Sequence, residues 1–173
     1  LSVLASMTLA TLAVFAFIHL ADEVGEGDTL RFDSWAVRAL RQTDDPSKPV
    51  GPPWLAEAGR DLTALGGVAV FAPLTCAVIG FLWLRRMYGA MWLVAAATVG
   101  GLVVSTGLKH LFERSRPDIV PHLSLVYTSS FPSGHSMLSA TVYLTLGALL
   151  GRFEKEFRIK AYFLLIALML TML

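Results

Sequence analysis

The segments KHLFERSRP (residues 109–117) and FPSGH (residues 131–135) lie between two long apolar stretches of the chain. Lys109 and Arg116 are separated by nearly two helical turns, so their side chains would share one helix face about 10 Å apart along the axis. Pro117 disfavours helical geometry at the residue before it, and the helix is therefore predicted to end near Arg116. Two cationic side chains at a helix end can converge on one anion.

The second segment is predicted to open a helix with Ser129 or Ser130 as its N-cap. The first N–H groups of a helix and its dipole favour an anion, and Gly134 would let that anion approach closely. A histidine such as His135 can donate a proton near neutral pH, which suits protonation of a departing alkoxide. The predicted first turn contains four residues: Pro132, Ser133, Gly134 and His135. Together the two segments predict a phosphate site.

Each of these residues also has a simpler interpretation. Lys109 and Arg116 could be long cationic side chains that reach the interface from a helix end, and His135 could be a packed or interfacial histidine. The phosphate hypothesis rests on their combination, because ionisable groups at a membrane edge point to function. Arg114 could contact a substrate head group. The other polar residues nearby are interpreted as a solvated helix end and loop: His110, Glu113, Asp118 and His122.

The composition is that of a membrane protein. Of the 173 residues, 55% are hydrophobic, and the mean hydropathy is +0.62, far above that of an ordinary soluble domain. The formal net charge is only +1 and the charges form no basic stripe, so the charge pattern gives no reason to expect nucleic acid as a partner. The single cysteine, Cys76, can form no disulfide within the chain.

The hydrophobic pattern predicts an all-α fold, a polytopic transmembrane bundle in a single domain over residues 1–173. Asp61 is the expected N-cap of the second helix, and Gly66 and Gly67 are expected to be tolerated inside it. The five predicted helices cover residues 1–20, 61–84, 87–112, the Pro-Ser-Gly-His segment to about 150, and a stretch from about 159 onward. A small-residue face for tight packing is predicted on the third helix: Gly100, Gly101, Ser105 and Gly107.

The polar section at residues 21–61 is predicted to contain a short amphipathic helix in the membrane interface, with Trp35 as its anchor. Its apolar side combines Phe32, Trp35, Ala36 and Leu40. The Pro-rich run at residues 42–53 should be irregular. The adjacent carboxylates Asp44 and Asp45 in that run are interpreted as turn residues rather than as a metal site.

The basic residues of the short loops predict the orientation in the membrane. Arg85 and Arg86 follow the second helix, and the turn at residues 152–160 is rich in basic residues, so both are predicted to be cytoplasmic. The section at residues 21–61 and the stretch at residues 109–135 then fall on the extracytoplasmic side.

The two segments resemble motifs of the type 2 phosphatidic acid phosphatase (PAP2) superfamily. The first family motif is Lys, six residues and Arg-Pro, matched from Lys109 to Arg116 and Pro117. The second is Pro-Ser-Gly-His, matched from Pro132 to His135. The resemblance covers most of the chain. It implies six transmembrane helices and hydrolysis without a metal ion or cofactor.

The resemblance also implies roles for individual residues. His135 would be the general acid, and four residues would bind the phosphate: Lys109, Arg116, Ser133 and Gly134. Pro117 and Pro132 would be structural parts of the motifs. The third family motif, Ser-Arg, five residues, His, three residues and Asp, carries the nucleophilic histidine and is absent. The nucleophile is therefore unknown and expected beyond Leu173, in a chain expected to be incomplete there and inactive as given.

The leading hypothesis is a phosphatase in a bacterial cytoplasmic membrane, with its site on the extracytoplasmic side. Its substrate would be a lipid phosphate monoester or diphosphate of the phosphatidic acid, phosphatidylglycerol phosphate or polyprenyl diphosphate type. The alternatives are a lipid-to-lipid phosphotransferase and a non-catalytic protein that binds or translocates anionic lipid. Oligomeric state stays open, although Gly147 and Gly151 permit a helix contact.

Overall fold

The computed structural model describes residues 2–112, 114 and 129–173. These residues form an all-α fold, as the hydrophobic pattern predicts, and no β-strand occurs among them. The helices follow one another as α1 (Ser2–Glu26), α2 (Leu30–Ala39), α3 (Pro53–Ala64), α4 (Val68–Leu84), α5 (Tyr88–Phe112), α6 (Gly134–Phe153) and α7 (Phe157–Met172).

Among the described helices, α1, α5 and α6 are each long and apolar enough to cross a bilayer. α3 and α4 make a fourth crossing if they are taken together as one span that bends by 42° at the break between them. α7 has 16 residues, fewer than the about 20 that a perpendicular crossing uses. The chain is therefore an integral, multi-pass membrane protein.

The chain divides into two compact units, and the first contains α1, α2 and Arg114. α1 continues to Glu26, beyond the predicted end at Leu20. The extension includes Glu23 and Glu26, and glutamate is a good helix former, so the end of the apolar stretch does not end the helix.

α2 is the short helix that the amphipathic pattern predicts in the polar section. Phe32 and Trp35 are 66% and 65% exposed, and their ring centroids lie 5.7 Å apart. An exposed aromatic pair suits the membrane interface. The placement of α2 in that interface stays a prediction.

The Pro-rich run after α2 is irregular, as predicted, and Asp45 organises a turn in it. Asp45 Oδ1 accepts hydrogen bonds from the Ser47 backbone N–H at 3.1 Å and from the Ser47 hydroxyl at 2.6 Å. Lys48 Nζ lies 3.1 Å from Asp45 Oδ2. The hydrogen bond from the Ser47 side chain, followed by that from Lys48, lowers the pKa of the Asp45 carboxyl below its ordinary value. Asp45 is therefore a turn residue.

The second unit contains α3 to α7, and its first two helices correct a prediction. The helix predicted for residues 61–84 begins at Pro53 instead, because proline is favoured in the first helical turn. Asp61 lies inside α3 and caps nothing. The helix then breaks at Gly66 and Gly67, with Gly67 extended at φ −84 and ψ 151. Each glycine lowers helix stability by about 1 kcal/mol relative to alanine, so two in succession favour a break.

The turn between α4 and α5 closes with a left-handed residue, Arg86, whose φ is 57°. The Arg86 N–H donates to the Trp83 carbonyl at 2.9 Å, and the Met87 N–H donates to the Leu82 carbonyl at 2.9 Å. These two bonds define a Schellman motif, in which the left-handed position is usually glycine. α5 then begins within one residue of its predicted start.

α6 packs against both α5 and α7 and is the central helix of the second unit. Two clusters of buried apolar side chains lie along it. The first contains Phe71, Leu138, Val142, Tyr143 and Ala167. The second contains Leu82, Val94 and Leu149. Because α6 contributes to both clusters, its position relative to α4, α5 and α7 is set along most of its length.

The predicted small-residue face of α5 is correct for two of its four members. A Cβ added at Gly101 would lie 2.9 Å from Thr141 Oγ1, so α6 approaches α5 closely there. Ser105, one turn further on, is buried. A Cβ at Gly100 or Gly107 would meet nothing within 4 Å, because these two glycines point to other sides of the helix.

The glycine pair near the end of α6 contacts α7 of the same chain. A Cβ at Gly147 would lie 2.7 Å from Ala167 Cβ, and one at Gly151 would lie 3.7 Å from Lys160 Cα. The helix contact that this pair permits is therefore made inside the monomer.

Candidate functional site

The side chain of Lys109 lies beside the segment that precedes α6. Its ammonium donates a hydrogen bond to the Ser129 carbonyl at 2.8 Å, and Ser129 Oγ donates to the Lys109 carbonyl at 2.9 Å. The rings of Phe112 and Phe131 meet edge to face, with centroids 5.2 Å apart. The end of α5 and the approach to α6 are therefore joined by two hydrogen bonds and an aromatic contact.

The N-cap of α6 is Ser133, and the predicted caps Ser129 and Ser130 were wrong. Ser133 Oγ accepts a hydrogen bond from the Ser136 N–H at 3.3 Å. Pro132 consequently precedes the helix instead of lying in its first turn. The Ser129 hydroxyl bonds to the end of α5, so it does not serve α6.

Gly134 is the first residue of α6 and lies against α5. A Cβ placed on Gly134 would be 3.4 Å from Lys109 Cε and 3.6 Å from Ser105 Oγ. Both are ordinary van der Waals distances, so helix packing alone does not demand glycine here. Ser105 is 3% exposed and lies one turn before Lys109 on the same side of α5. The lysine side chain, this buried serine and the start of α6 thus meet at one place.

His135 is the second residue of α6, is exposed, and lies against the break between α3 and α4. A Cβ on Gly66 would be 3.1 Å from His135 Cβ and 3.3 Å from its Cδ2. A Cβ on Gly67 would be 3.7 Å from His135 Nε2. The imidazole therefore packs on glycine backbone and stays accessible to a ligand.

The start of α6 combines donors that suit an anion. The first N–H groups of a helix lack intrahelical acceptors, and the helix dipole adds positive potential. The Ser133 hydroxyl accepts the capping bond and can still donate its own proton. The Lys109 ammonium adds a charge at the same end. A group with the charge and oxygen acceptors of a phosphate matches these donors.

Other predicted site residues lie elsewhere. Arg116 and Pro117 are outside the described residues. Arg114, in the first unit, donates hydrogen bonds to Thr29 Oγ1 at 2.9 Å and to the Asp33 carboxylate. Its guanidinium therefore holds the start of α2. Within residues 2–112, 114 and 129–173, no three His, Cys, Asp or Glu side chains group together to hold a metal ion.

Gly66, Gly67 and Tyr143 are neighbours of the site that the motif spacing does not indicate. Tyr143 Oη donates a hydrogen bond to the Leu65 carbonyl at 2.8 Å, across 78 positions of sequence. Adjacent glycines are a known signal for a helix break, and that signal was available. The contact of the break with His135 had no sequence signal, because it depends on how α6 packs against α3 and α4.

Comparison with known proteins relates this geometry to a family. Residues 89–173 match the sequence profile of the PAP2 superfamily. The chain is 38% identical over 95 residues to phosphatidylglycerophosphatase B of Bacillus subtilis (strain 168), in an alignment that covers 53% of this chain. That alignment covers 44% of the relative, so the chain spans less than half of its length.

The fold is similar to a crystal structure from Bacillus subtilis described as the first transmembrane PAP2 type phosphatidylglycerolphosphate phosphatase. The TM-score is 0.76 at 26% sequence identity. The match covers 93% of this chain and 77% of that one, and it therefore includes both compact units.

Proposed function

The chain belongs to the PAP2 superfamily, and from this membership we propose that it is a membrane phosphatase that hydrolyses a lipid phosphate monoester or diphosphate. The observation that carries the proposal is the meeting of Lys109, Gly134 and His135 at the start of α6. These positions match the motif residues of the family, and they supply a cation, helix N–H groups and a proton donor together.

The phosphate is bound at the start of α6. The Lys109 ammonium neutralises its charge, and the Ser133 hydroxyl donates to one of its oxygens. The family motif implies Arg116, which lies outside the described residues, as a second cation for the phosphate. The Gly134 backbone lets the phosphate approach the first N–H groups of the helix. Negative charge that develops on the transferring group is stabilised by the same donors.

The reaction proceeds in two steps through a phosphohistidine. A histidine nitrogen attacks phosphorus, the bond from phosphorus to the lipid oxygen breaks, and His135 gives its proton to the departing alkoxide. Water then attacks the phosphohistidine, His135 takes a proton from that water, and inorganic phosphate leaves. The steps require no metal ion or cofactor.

The nucleophilic histidine lies outside these 173 residues in this proposal. His135 serves as the acid and base, and the remaining histidines lack the Ser-Arg and Asp context of the third family motif: His19, His110 and His122. His19 additionally lies on α1, 3.6 Å from Glu23 Oε1, in the first unit.

We place the site on the extracytoplasmic side of a bacterial cytoplasmic membrane. A groove of about 380 Å³ is lined by Arg86 and Tyr88 together with Arg152 and Phe153, so the two basic turns lie at the same end of the second unit. α6 runs from that end to Gly134, next to His135, over 20 residues or about 30 Å. The positive-inside rule makes the basic end cytoplasmic. From the order of the spans along the chain, we further propose that the part of residues 21–61 between α1 and α3 is an extracytoplasmic loop.

Phosphatidylglycerol phosphate is the first substrate to test, because the sequence relative and the similar crystal structure both carry that activity in their names. Phosphatidic acid and a polyprenyl diphosphate present the same terminal phosphate to the site. Phosphate release from these three lipids by the full-length protein in detergent micelles, with and without EDTA, tests the proposal. We expect release that EDTA leaves unchanged and vanadate inhibits.

The variant His135→Ala should lower kcat by about 10²- to 10⁴-fold, the usual contribution of a general acid. His19→Ala, a change to an exposed histidine in the first unit, is the matched control and should keep full activity. Loss of hydrolysis in EDTA, or undiminished turnover by His135→Ala, contradicts the proposal. Transfer of labelled phosphate to a lipid acceptor would instead identify a phosphotransferase, and binding without release a lipid-binding protein.

A further inference from the structure

The break between α3 and α4 rests on one face of α6. His135, Ser139 and Tyr143 are spaced four residues apart, so they share that face over two helical turns. Tyr143 Oη donates to the Leu65 carbonyl at 2.8 Å. A Cβ on Gly66 would lie 3.0 Å from Ser139 Oγ. The break thus touches α6 at three successive turns, beginning with His135.

We propose that Gly66, Gly67 and Tyr143 are positioning residues that set the orientation of the His135 imidazole. This inference rests on the proposed role of His135 as the proton donor. Gly66 and Gly67 form the surface on which the ring packs. The hydrogen bond from the Tyr143 hydroxyl fixes the position of that surface along the α6 axis.

The two glycines constrain the histidine in different ways. A methyl group at Gly66 would meet His135 Cβ at 3.1 Å, and Cβ cannot rotate away because it is attached to the α6 backbone. A methyl group at Gly67 would lie 3.7 Å from His135 Nε2, which is ordinary contact with the outer end of the ring. Gly66 therefore limits the distance between the break and α6, and Gly67 limits the rotation of the ring.

Tyr143 supplies the bond that holds the break in place. At a helix break, the last carbonyls lose the N–H donors that would lie four residues further along the helix. In a bilayer these carbonyls must accept hydrogen bonds from other groups of the protein. The Leu65 carbonyl accepts the Tyr143 hydroxyl, and the Tyr143 side chain is buried, with its ring 5.1 Å from that of Phe71. Phenylalanine at this position keeps the ring contact and removes only the donor.

A misoriented imidazole affects the chemical step more than binding. The phosphate is bound by the Lys109 ammonium and the start of α6, whereas the His135 proton is needed when the bond to the lipid oxygen breaks. An interaction used only in the transition state appears in kcat and leaves KM nearly unchanged. A displacement of about 1 Å at a reacting group can cost roughly 10²-fold in rate.

The test uses the full-length protein in detergent and two variants, Tyr143→Phe and Gly66→Ala. Tyr162→Phe, on the exposed side of α7, and Gly80→Ala, where a Cβ meets nothing within 4 Å, are the matched controls. We expect both variants to lower kcat by about 10- to 100-fold with KM changed less than about threefold. The controls should keep both constants.

NMR of histidine-labelled protein gives a readout that does not depend on turnover. The His135 signal, identified by its loss in His135→Ala, should shift in Tyr143→Phe and Gly66→Ala and stay in place in the two controls. Unchanged kcat, or lower kcat with an unshifted His135 signal, overturns the inference. If the signal shifts as expected while wild-type protein releases no phosphate from any lipid, the positioning inference stands and the proposed function fails.

Discussion

Lys109 and Ser129 exchange two hydrogen bonds, one from the lysine ammonium to the serine carbonyl at 2.8 Å and one from the serine hydroxyl to the lysine carbonyl at 2.9 Å. A lysine that only extends from a helix end to the interface directs its ammonium to water. The Lys109 side chain is instead held beside the start of α6. Substitutions at Ser129 and Lys109 should therefore have different effects, the first mainly on stability and the second mainly on hydrolysis.

Ser129→Ala removes the hydroxyl bond and keeps the carbonyl that accepts from Lys109. We expect it to lower the free energy of unfolding by about 1 kcal/mol, the usual value for one hydrogen bond, and to change kcat/KM by less than about tenfold. Thermal unfolding in detergent and initial rates of phosphate release measure the two effects.

Lys109→Met removes the charge and keeps most of the apolar stem. We expect a fall in kcat/KM of more than about tenfold, since a charge-assisted bond to phosphate is lost. Lys155→Met, in the turn between α6 and α7, is the control and should behave as wild type. Wild-type hydrolysis by Lys109→Met would show that the lysine is only a helix-end residue.

Gly134→Ala should separate ligand binding from folding. The nearest side-chain atom to the new methyl group is Lys109 Cε at 3.4 Å, so the helices need not move and the unfolding midpoint should change little. The methyl group would occupy space near the first N–H groups of α6. We therefore expect weaker inhibition by vanadate and a higher KM. A clear fall in the unfolding midpoint alongside the weaker binding would indicate that the glycine serves helix packing.

Gly101→Ala and Gly100→Ala form a matched pair on α5. The first places a methyl group 2.9 Å from Thr141 Oγ1 and 3.1 Å from Thr141 Cβ, so α5 and α6 must separate or the threonine must move. We expect a cost of about 1–3 kcal/mol, typical of overpacking. Gly100→Ala meets nothing within 4 Å and should keep or raise the stability, by up to about 1 kcal/mol, because alanine favours the helix more than glycine does. Denaturation in mixed micelles compares them, and equal stabilities would contradict the packing of these helices.

Arg114 and Asp33 should show coupled contributions to stability. Their side chains are 18% and 28% exposed, so the pair is partly shielded from water and from salt. A double-mutant cycle with Arg114→Ala and Asp33→Ala should give an interaction free energy of about 1 kcal/mol. Additive effects of the two substitutions on thermal unfolding would show that the pair contributes nothing beyond its separate members.

The sequence predicted the helical fold well where apolar stretches are long and uninterrupted. α5 begins at Tyr88 against a predicted start at residue 87, and its described residues reach Phe112. The prediction failed at Gly66 and Gly67, because glycine in a membrane helix is compatible with either tight packing or a break. Only the contact with α6 decides between them, and that contact joins residues far apart in sequence.

The candidate site was predictable to a similar degree. Motif spacing identified Lys109, Gly134 and His135, and the structure brings them to the start of α6. The cap was assigned to the wrong serine, because Ser129, Ser130 and Ser133 are equally good N-caps by residue type. Their difference lies in the bond from Ser129 to the end of α5, which no local pattern encodes.

The left-handed Arg86 at the end of α4 has a consequence for how the protein enters its membrane. A residue with a Cβ in this conformation costs about 1–2 kcal/mol that glycine would not, so folding stability alone would favour glycine here. Arginine at the same position adds a positive charge next to the end of a span, where charge selects the side of the bilayer on which a loop remains. We therefore expect the arginine at this turn to favour insertion in one orientation at the expense of folding stability, so that the two requirements compete for a single residue.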